Sequence, residues 1–165
     1  MSSPVDHTLQ IAIPIFKYAF HGYEALFTFD NASNHCAFAS DALLVPRMNR
    51  NPGGQQARLR SGWIGNPSNP QAMVFPDNHP EPKLRGQAKG IEQVLRERGL
   101  WRDRRSDGLA FLHWCPVSDD RTGCDPTIEG GCCACSLLAQ QPDFRAQKGL
   151  LEEKAEAHGH SVIFL

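Results

Sequence analysis

Five cysteines crowd one stretch of the chain, in the pattern Cys115-x8-Cys124-x7-Cys132-Cys133-x-Cys135. Thiols gathered in this way admit two readings. Four thiolates close a tetrahedral shell around zinc and so order a loop that has no core of its own. Alternatively they stay reduced and pack as small hydrophobic residues. Gly123, Gly130 and Gly131 supply the tight turns that a metal loop needs. The best candidate zinc set is Cys115, Cys124, Cys132 and Cys133. The adjacent pair Cys132-Cys133 departs from the spacing of roughly two to four residues common in zinc fingers. Cys135 is a spare ligand or a plain thiol, and the isolated Cys36 reads as packing.

A second constellation is Phe27-Thr28-Phe29-Asp30-Asn31-Ala32-Ser33-Asn34-His35. A carboxylate at the end of a strand is fixed by the strand and open to substrate. Magnesium or manganese takes oxygen ligands of this kind, and two such ions clamp a phosphodiester for in-line attack. That chemistry needs several carboxylates, of which Asp30 is one. Asp, Asn and Ser after a strand also cap helices, by accepting the first unpaired amides. Capping and metal binding therefore both stand for Asp30, and His35 is equally readable as a packed or surface histidine.

Charge is unevenly spread. Residues 46–105 carry 12 Lys/Arg against 5 Asp/Glu, and the remainder carries 5 against 13, for a net charge of −1. The basic segment includes Arg47, Arg50, Arg58, Arg60, Lys83, Arg85 and Lys89, with Trp63 and Trp101 nearby. Such a segment suits phosphates and predicts weak, sequence-tolerant DNA binding through Arg58, Arg60, Lys83, Arg85 and Lys89. A salt-bridged, solvated surface is the competing reading. No base-reading helix-turn-helix pattern is present, and Gly53-Gly54 lacks the Gly-Lys-Ser/Thr context of a phosphate loop.

The elements that must position these groups follow from periodicity. Leu9 to Tyr18 predicts a helix, kinked or restarted at Pro14. Ala25 to Phe29 predicts a buried strand ending at Asp30, and Asn34 to Leu44 a helix. Residues 46–90, with 7 prolines and 6 glycines, predict irregular structure with a short strand at Met73-Val74-Phe75. Gly90 to Gly99 predicts a helix and Leu109 to Trp114 a strand. A helix is expected from Pro142 to His158 with Phe144, Leu151 and Ala155 on one face, then a strand over His160 to Leu165. Strands separated by helices give an α/β fold with a parallel pair, a single domain over 1–165 in which 46–135 forms a basic, Pro/Gly-rich and Cys-rich insertion.

Asp30-Asn31 with His35 after an apolar strand resembles the second-aspartate motif of DDE-type transposases of the mariner-like superfamily, most closely a fungal branch. Ala12-Ile13-Pro14-Ile15-Phe16, Met73-Val74-Phe75-Pro76, Leu84-Arg85-Gly86, Glu97-Arg98-Gly99-Leu100-Trp101 and Gly131-Cys132-Cys133 are similar to the same branch in the same order. So is Gln141-Pro142-Asp143-Phe144, and the resemblance covers nearly the whole chain. It implies an RNase H-like core and a two-metal site of three acids, with Asp30 the one catalytic position carried over. Asn31 and His35 match motif positions without an assigned role. The first acid of that family falls before Met1 and the last after Leu165. The resemblance thus implies a truncated piece of a DNA-cleaving and strand-transferring enzyme, inactive as it stands. A zinc-stabilised nucleic-acid-binding or interaction module without catalysis is the alternative.

The longest apolar stretch, Leu9 to Phe20, is broken by Gln10, Pro14 and Lys17 and is too short to span a bilayer. It lacks a basic flank, so no export signal is expected and a nuclear or cytoplasmic location is. Thiols in such a compartment favour metal over disulfides.

Overall fold

A computed structural model of the chain describes residues 4–30, 37–105, 108–115 and 131–165. They fall into two compact units, one made of Met1–Ala39 with Lys148–Leu165 and the other of Ser40–Gln147.

The first unit is a small α/β assembly. Helix α1 (Pro4–His7), a π turn over Thr8–Ala12 and helix α2 (Ile13–Ala19) follow one another directly. In the π turn the Ile13 amide donates to the Thr8 carbonyl, five residues back. Pro14 explains it. Proline has no N–H to give, and its ring crowds the carbonyl four residues earlier, so a locally wider turn relieves the clash. Strand β1 (Leu26–Phe29) pairs in parallel with the C-terminal strand (Ser161–Phe164), Leu26 opposite Ser161 and Phe29 opposite Phe164. The parallel pair expected from the alternation of helices and strands is therefore present. A helix over Leu150–Ala157 leads into that last strand, and its Leu151 and Ala155 are fully buried.

The second unit carries the larger core. It holds a two-residue antiparallel pair, β2 (Gly62–Trp63) with β3 (Pro70–Gln71), and helix α3 (Ile91–Glu97). Helices α4 (Ala134–Ala139) and α5 (Pro142–Arg145) complete it, so the Leu150–Ala157 helix is α6 and the last strand β4. Ile91, Val94 and Leu95 form the inner face of α3 as the periodicity predicts, and all three are wholly buried. Each contributes roughly 1.5–3 kcal/mol by leaving water. They pack with Leu43, Met73 and Leu138 in one cluster, and α3 lies against α4.

Five expectations are corrected. β1 is not a buried strand: Leu26 is 59% exposed and burial alternates along it, because a two-stranded sheet has a covered face and an open one. The described part of the 34–44 segment, residues 37–44, is not helical. There the Asp41 carbonyl takes the Arg60 amide and the Leu43 amide takes the Gln147 side chain, so backbone groups a helix would use are committed elsewhere. Leu109 to Trp114 makes only single bridges, Arg104 with Ala110 and Leu112 with Cys133. Met73 to Phe75 is likewise a lone bridge, Val74 with Ala88.

The fifth correction is to the tail helix, which divides into α5 and α6. Gln147 ends α5: its side-chain amide donates to the Asp143 carbonyl at 2.8 Å and its oxygen accepts from Leu43. Phe144 and Leu151 consequently belong to different units rather than to one helical face. Among the described residues no helix is long and apolar enough to cross a membrane.

Candidate metal centre

The thiol cluster is positioned by the start of α4. Cys133 precedes that helix in an extended conformation, and its Sγ accepts the Ser136 amide at 3.4 Å, serving as the cap. The next two amides turn outward. Ala134 donates to the Leu112 carbonyl at 2.9 Å and Cys135 to the His113 carbonyl at 3.2 Å. These bonds satisfy helix amides that have no internal partner, and they lash residues 112–115 alongside the helix start. Cys115 is carried in as a result.

Gly131 makes the approach to this point. Its φ is +82°, and a Cβ there would meet the Leu137 backbone nitrogen at 2.9 Å, so a side chain is excluded by both conformation and space. Its carbonyl accepts from the Arg102 guanidinium at 2.9 Å, and that guanidinium lies 4.7 Å over the Phe111 ring. The turn is thus pinned from outside as well as from within.

The Sγ atoms of Cys115, Cys132 and Cys133 all lie within 4.8 Å of one another. Cys115 Sγ and Cys132 Sγ are 3.0 Å apart. With zinc–sulfur bonds near 2.3 Å, the edge of a tetrahedral thiolate site is about 3.8 Å, so three thiols at this separation bracket the space of one ion. Cys132 and Cys133 are buried and Cys115 is half-buried. Among the described residues this is the one group of three or more ligating side chains that could hold a metal. Three of the four residues of the expected set come together, and the fourth, Cys124, lies outside the described residues, as does Cys36.

Cys135 stands apart from the triad. Its Sγ is 3.8 Å from His113 Nε2. Burial pushes the His113 pKa down, the Arg50 charge lowers it further, and Cys133 opposes both. The neutral ring is the favoured form, which is the form that can ligate or hydrogen-bond a thiol. His113 was missed by the reading of cysteine spacing alone. The available signal was its place two residues before Cys115 in His113-Trp114-Cys115.

The other candidate residues are dispersed. Asp30 is exposed at the C-terminal end of β1, where the Leu165 amide donates to the Phe29 carbonyl. Among the described residues it belongs to no group of three metal-ligating side chains. Asn31 and His35 lie outside the described residues. Of the basic set, Arg58, Lys83 and Arg85 are exposed. Arg60 is bonded to Asp41 at 2.7 Å, and its hydrogen bond holds the Asp41 carboxyl below the ordinary range. Lys89 is bonded to Glu97 at 2.9 Å with only 10% of its side chain exposed. A further pair of arginines, Arg50 and Arg96, share Glu92 and lie 5.7 and 5.3 Å from the Trp101 ring centre. Comparison with family models, with curated proteins and with solved structures returns no match for the chain.

Proposed function

We propose that the chain is a zinc-stabilised, nucleic-acid-binding part of a DDE-type transposase that does not itself cleave DNA. The observation carrying this reading is the convergence of Cys115, Cys132 and Cys133 within 4.8 Å. Thiolate sites closed by four protein ligands are structural, holding a loop rather than activating water. With Cys124 as the fourth ligand, zinc ties the residues before α4 to the 112–115 segment. The ion also fixes Arg102 through Gly131, and with it one end of the basic stretch.

The net positive charge of residues 46–105 supports phosphate contact, which is largely sequence-independent. Asp30 at the end of a parallel strand agrees with the partial RNase H-like core that the resemblance implies. Two-metal cleavage needs further carboxylates around both ions, and no such group surrounds Asp30 among the described residues.

The test is metal analysis of protein purified under reducing conditions. One zinc per chain is expected, falling to near zero in Cys132→Ser and Cys133→Ser and unchanged in Cys135→Ser. A reduced parent without zinc overturns the metal-stabilised reading. Magnesium-dependent nicking of DNA by the chain, abolished in Asp30→Ala, overturns the non-cleaving one.

A further inference from the structure

We propose that Cys115 and Cys132 are an oxidation-sensitive pair, and that a peroxide closes a disulfide between them and releases the zinc. The inference rests on the zinc reading for the released ion but not for the choice of thiols.

Geometry makes the choice. The 3.0 Å between these two sulfurs is already shorter than the edge of about 3.8 Å in a relaxed zinc–thiolate tetrahedron, and about 1 Å longer than a disulfide bond. Closing it needs a small approach of two side chains that face each other. The third thiol is held differently. Cys133 is fully buried, and its sulfur is engaged by the Ser136 amide at the start of α4. Pulling Cys133 into a disulfide would forfeit that cap. Cys135 is drawn to His113 instead.

Access supplies the order of events. Cys115 is half-buried, whereas Cys132 is 2% exposed and Cys133 fully buried. An oxidant from solvent therefore meets Cys115 first. The Cys115 thiolate attacks one oxygen of hydrogen peroxide, the O–O bond breaks, and a sulfenic acid and hydroxide result. The Cys132 thiolate then attacks the Cys115 sulfur, an S–S bond forms, and the S–O bond breaks with loss of a second hydroxide. Two thiolates lose two electrons in all, and peroxide gains them. An ion that has lost two thiolates lacks the shell that held it, and it leaves as Zn²⁺. The fold need not collapse at the same moment, because the disulfide bridges the same two segments, 17 residues apart in the chain.

The experiment treats the reduced, zinc-loaded chain with hydrogen peroxide. Released zinc is read with a chromogenic chelator, and disulfides are mapped by mass spectrometry after alkylation. Expected are a Cys115–Cys132 cross-link as the main product, loss of at least nine-tenths of the bound zinc, and recovery of both zinc and thiols on adding dithiothreitol and zinc. Cys135→Ser should behave as the parent. A main cross-link to Cys124, Cys133 or Cys135, or zinc retained while Cys115 and Cys132 are joined, overturns the proposal and leaves the zinc reading standing. A chain that purifies without zinc yet gives the Cys115–Cys132 cross-link removes the zinc reading and keeps the pair. Cys115→Ala closes the remaining gap: metal-free or loaded, it should give no cross-link at Cys132, and one formed there to another thiol overturns the assignment.

Discussion

Arg98 and Asp143, 45 residues apart in the chain, form a two-point ion pair with side chains 2% and 0% exposed. Arg98 Nη1 donates to Asp143 Oδ1 at 2.9 Å and Nη2 to Oδ2 at 2.6 Å, while Nε donates to Gln71 Oε1 at 2.8 Å. The Trp63 amide adds a fourth bond, to Oδ2 at 3.1 Å. Three of the five N–H donors of the guanidinium are thereby used, two of them on one carboxylate, and α3, α5 and β2 are tied at one point. Gly62 belongs to this arrangement, since a Cβ on it would sit 2.1 Å from Asp143 Oδ2.

Asp143→Ala is expected to destabilise the 40–147 unit by about 3–5 kcal/mol, because it strands a buried guanidinium. Gly62→Ala should also destabilise, by forcing the carboxylate aside. The two losses should not add, since removing the Asp143 carboxylate removes the principal obstacle to the new methyl group. Urea unfolding of both single variants and the double variant measures this. Additive losses would show that Gly62 and Asp143 act independently.

Glu97 links stability to acid. Burial pushes its pKa up, but hydrogen bonds from Gln93, Lys89 and Gln71, together with the Lys89 charge, outweigh it and hold the group below the ordinary 4.5. A carboxylate with a depressed pKa in the fold contributes stability above its unfolded pKa and loses it as pH falls through the folded value. Glu97→Gln should therefore cost about 1–2 kcal/mol at pH 7, and progressively less as pH falls below 4.5 and through the folded value. Thermal melts of parent and variant across that range should converge on the acid side. Curves that stay parallel would exclude the linkage.

His160 organises the small parallel sheet. It is 3% exposed, its Nδ1 accepts the Ala25 amide at 3.2 Å, and its ring meets those of Phe16 and Phe27 edge-on at 5.5 and 5.9 Å. An accepting Nδ1 places the proton of the neutral ring on Nε2. His160→Ala removes the acceptor and the ring packing together, and should destabilise the unit by about 2–4 kcal/mol. The Ala25 amide should lose its protection in hydrogen exchange. Protection unchanged in the variant would mean that Ala25 does not depend on this ring.

The basic residues divide by their partners. Replacing Arg58, Lys83 and Arg85 together by Gln should lower the salt slope of DNA binding by about 2–3. Replacing Arg60 and Lys89 should leave the slope nearly unchanged and cost stability, because Asp41 and Glu97 already hold them. Filter binding across a salt series separates the two outcomes. An unchanged slope in the triple variant would mark those side chains as solvated surface.

Local patterns in the sequence determined what local physics controls. The apolar spacing of Ile91, Val94 and Leu95 is enough for α3, because one buried helical face needs only neighbours three and four residues apart. The alternation of strands with helices was likewise enough for the parallel pairing of Leu26–Phe29 with Ser161–Phe164. The density of thiols marked the candidate metal centre. Spacing already left Cys135 outside the candidate set, but only the tertiary structure brings Cys115 to Cys132 and Cys133, since that depends on two amides of α4 bonding the carbonyls of Leu112 and His113 across the chain. It also divided the tail helix, through a Gln147 side chain whose partner, Leu43, lies 104 residues away. The uses of Arg60, Lys89 and Arg98 were hidden for the same reason: a charge pattern counts guanidinium and ammonium groups, and only the fold brings Asp41, Glu97 and Asp143 within bonding distance of them.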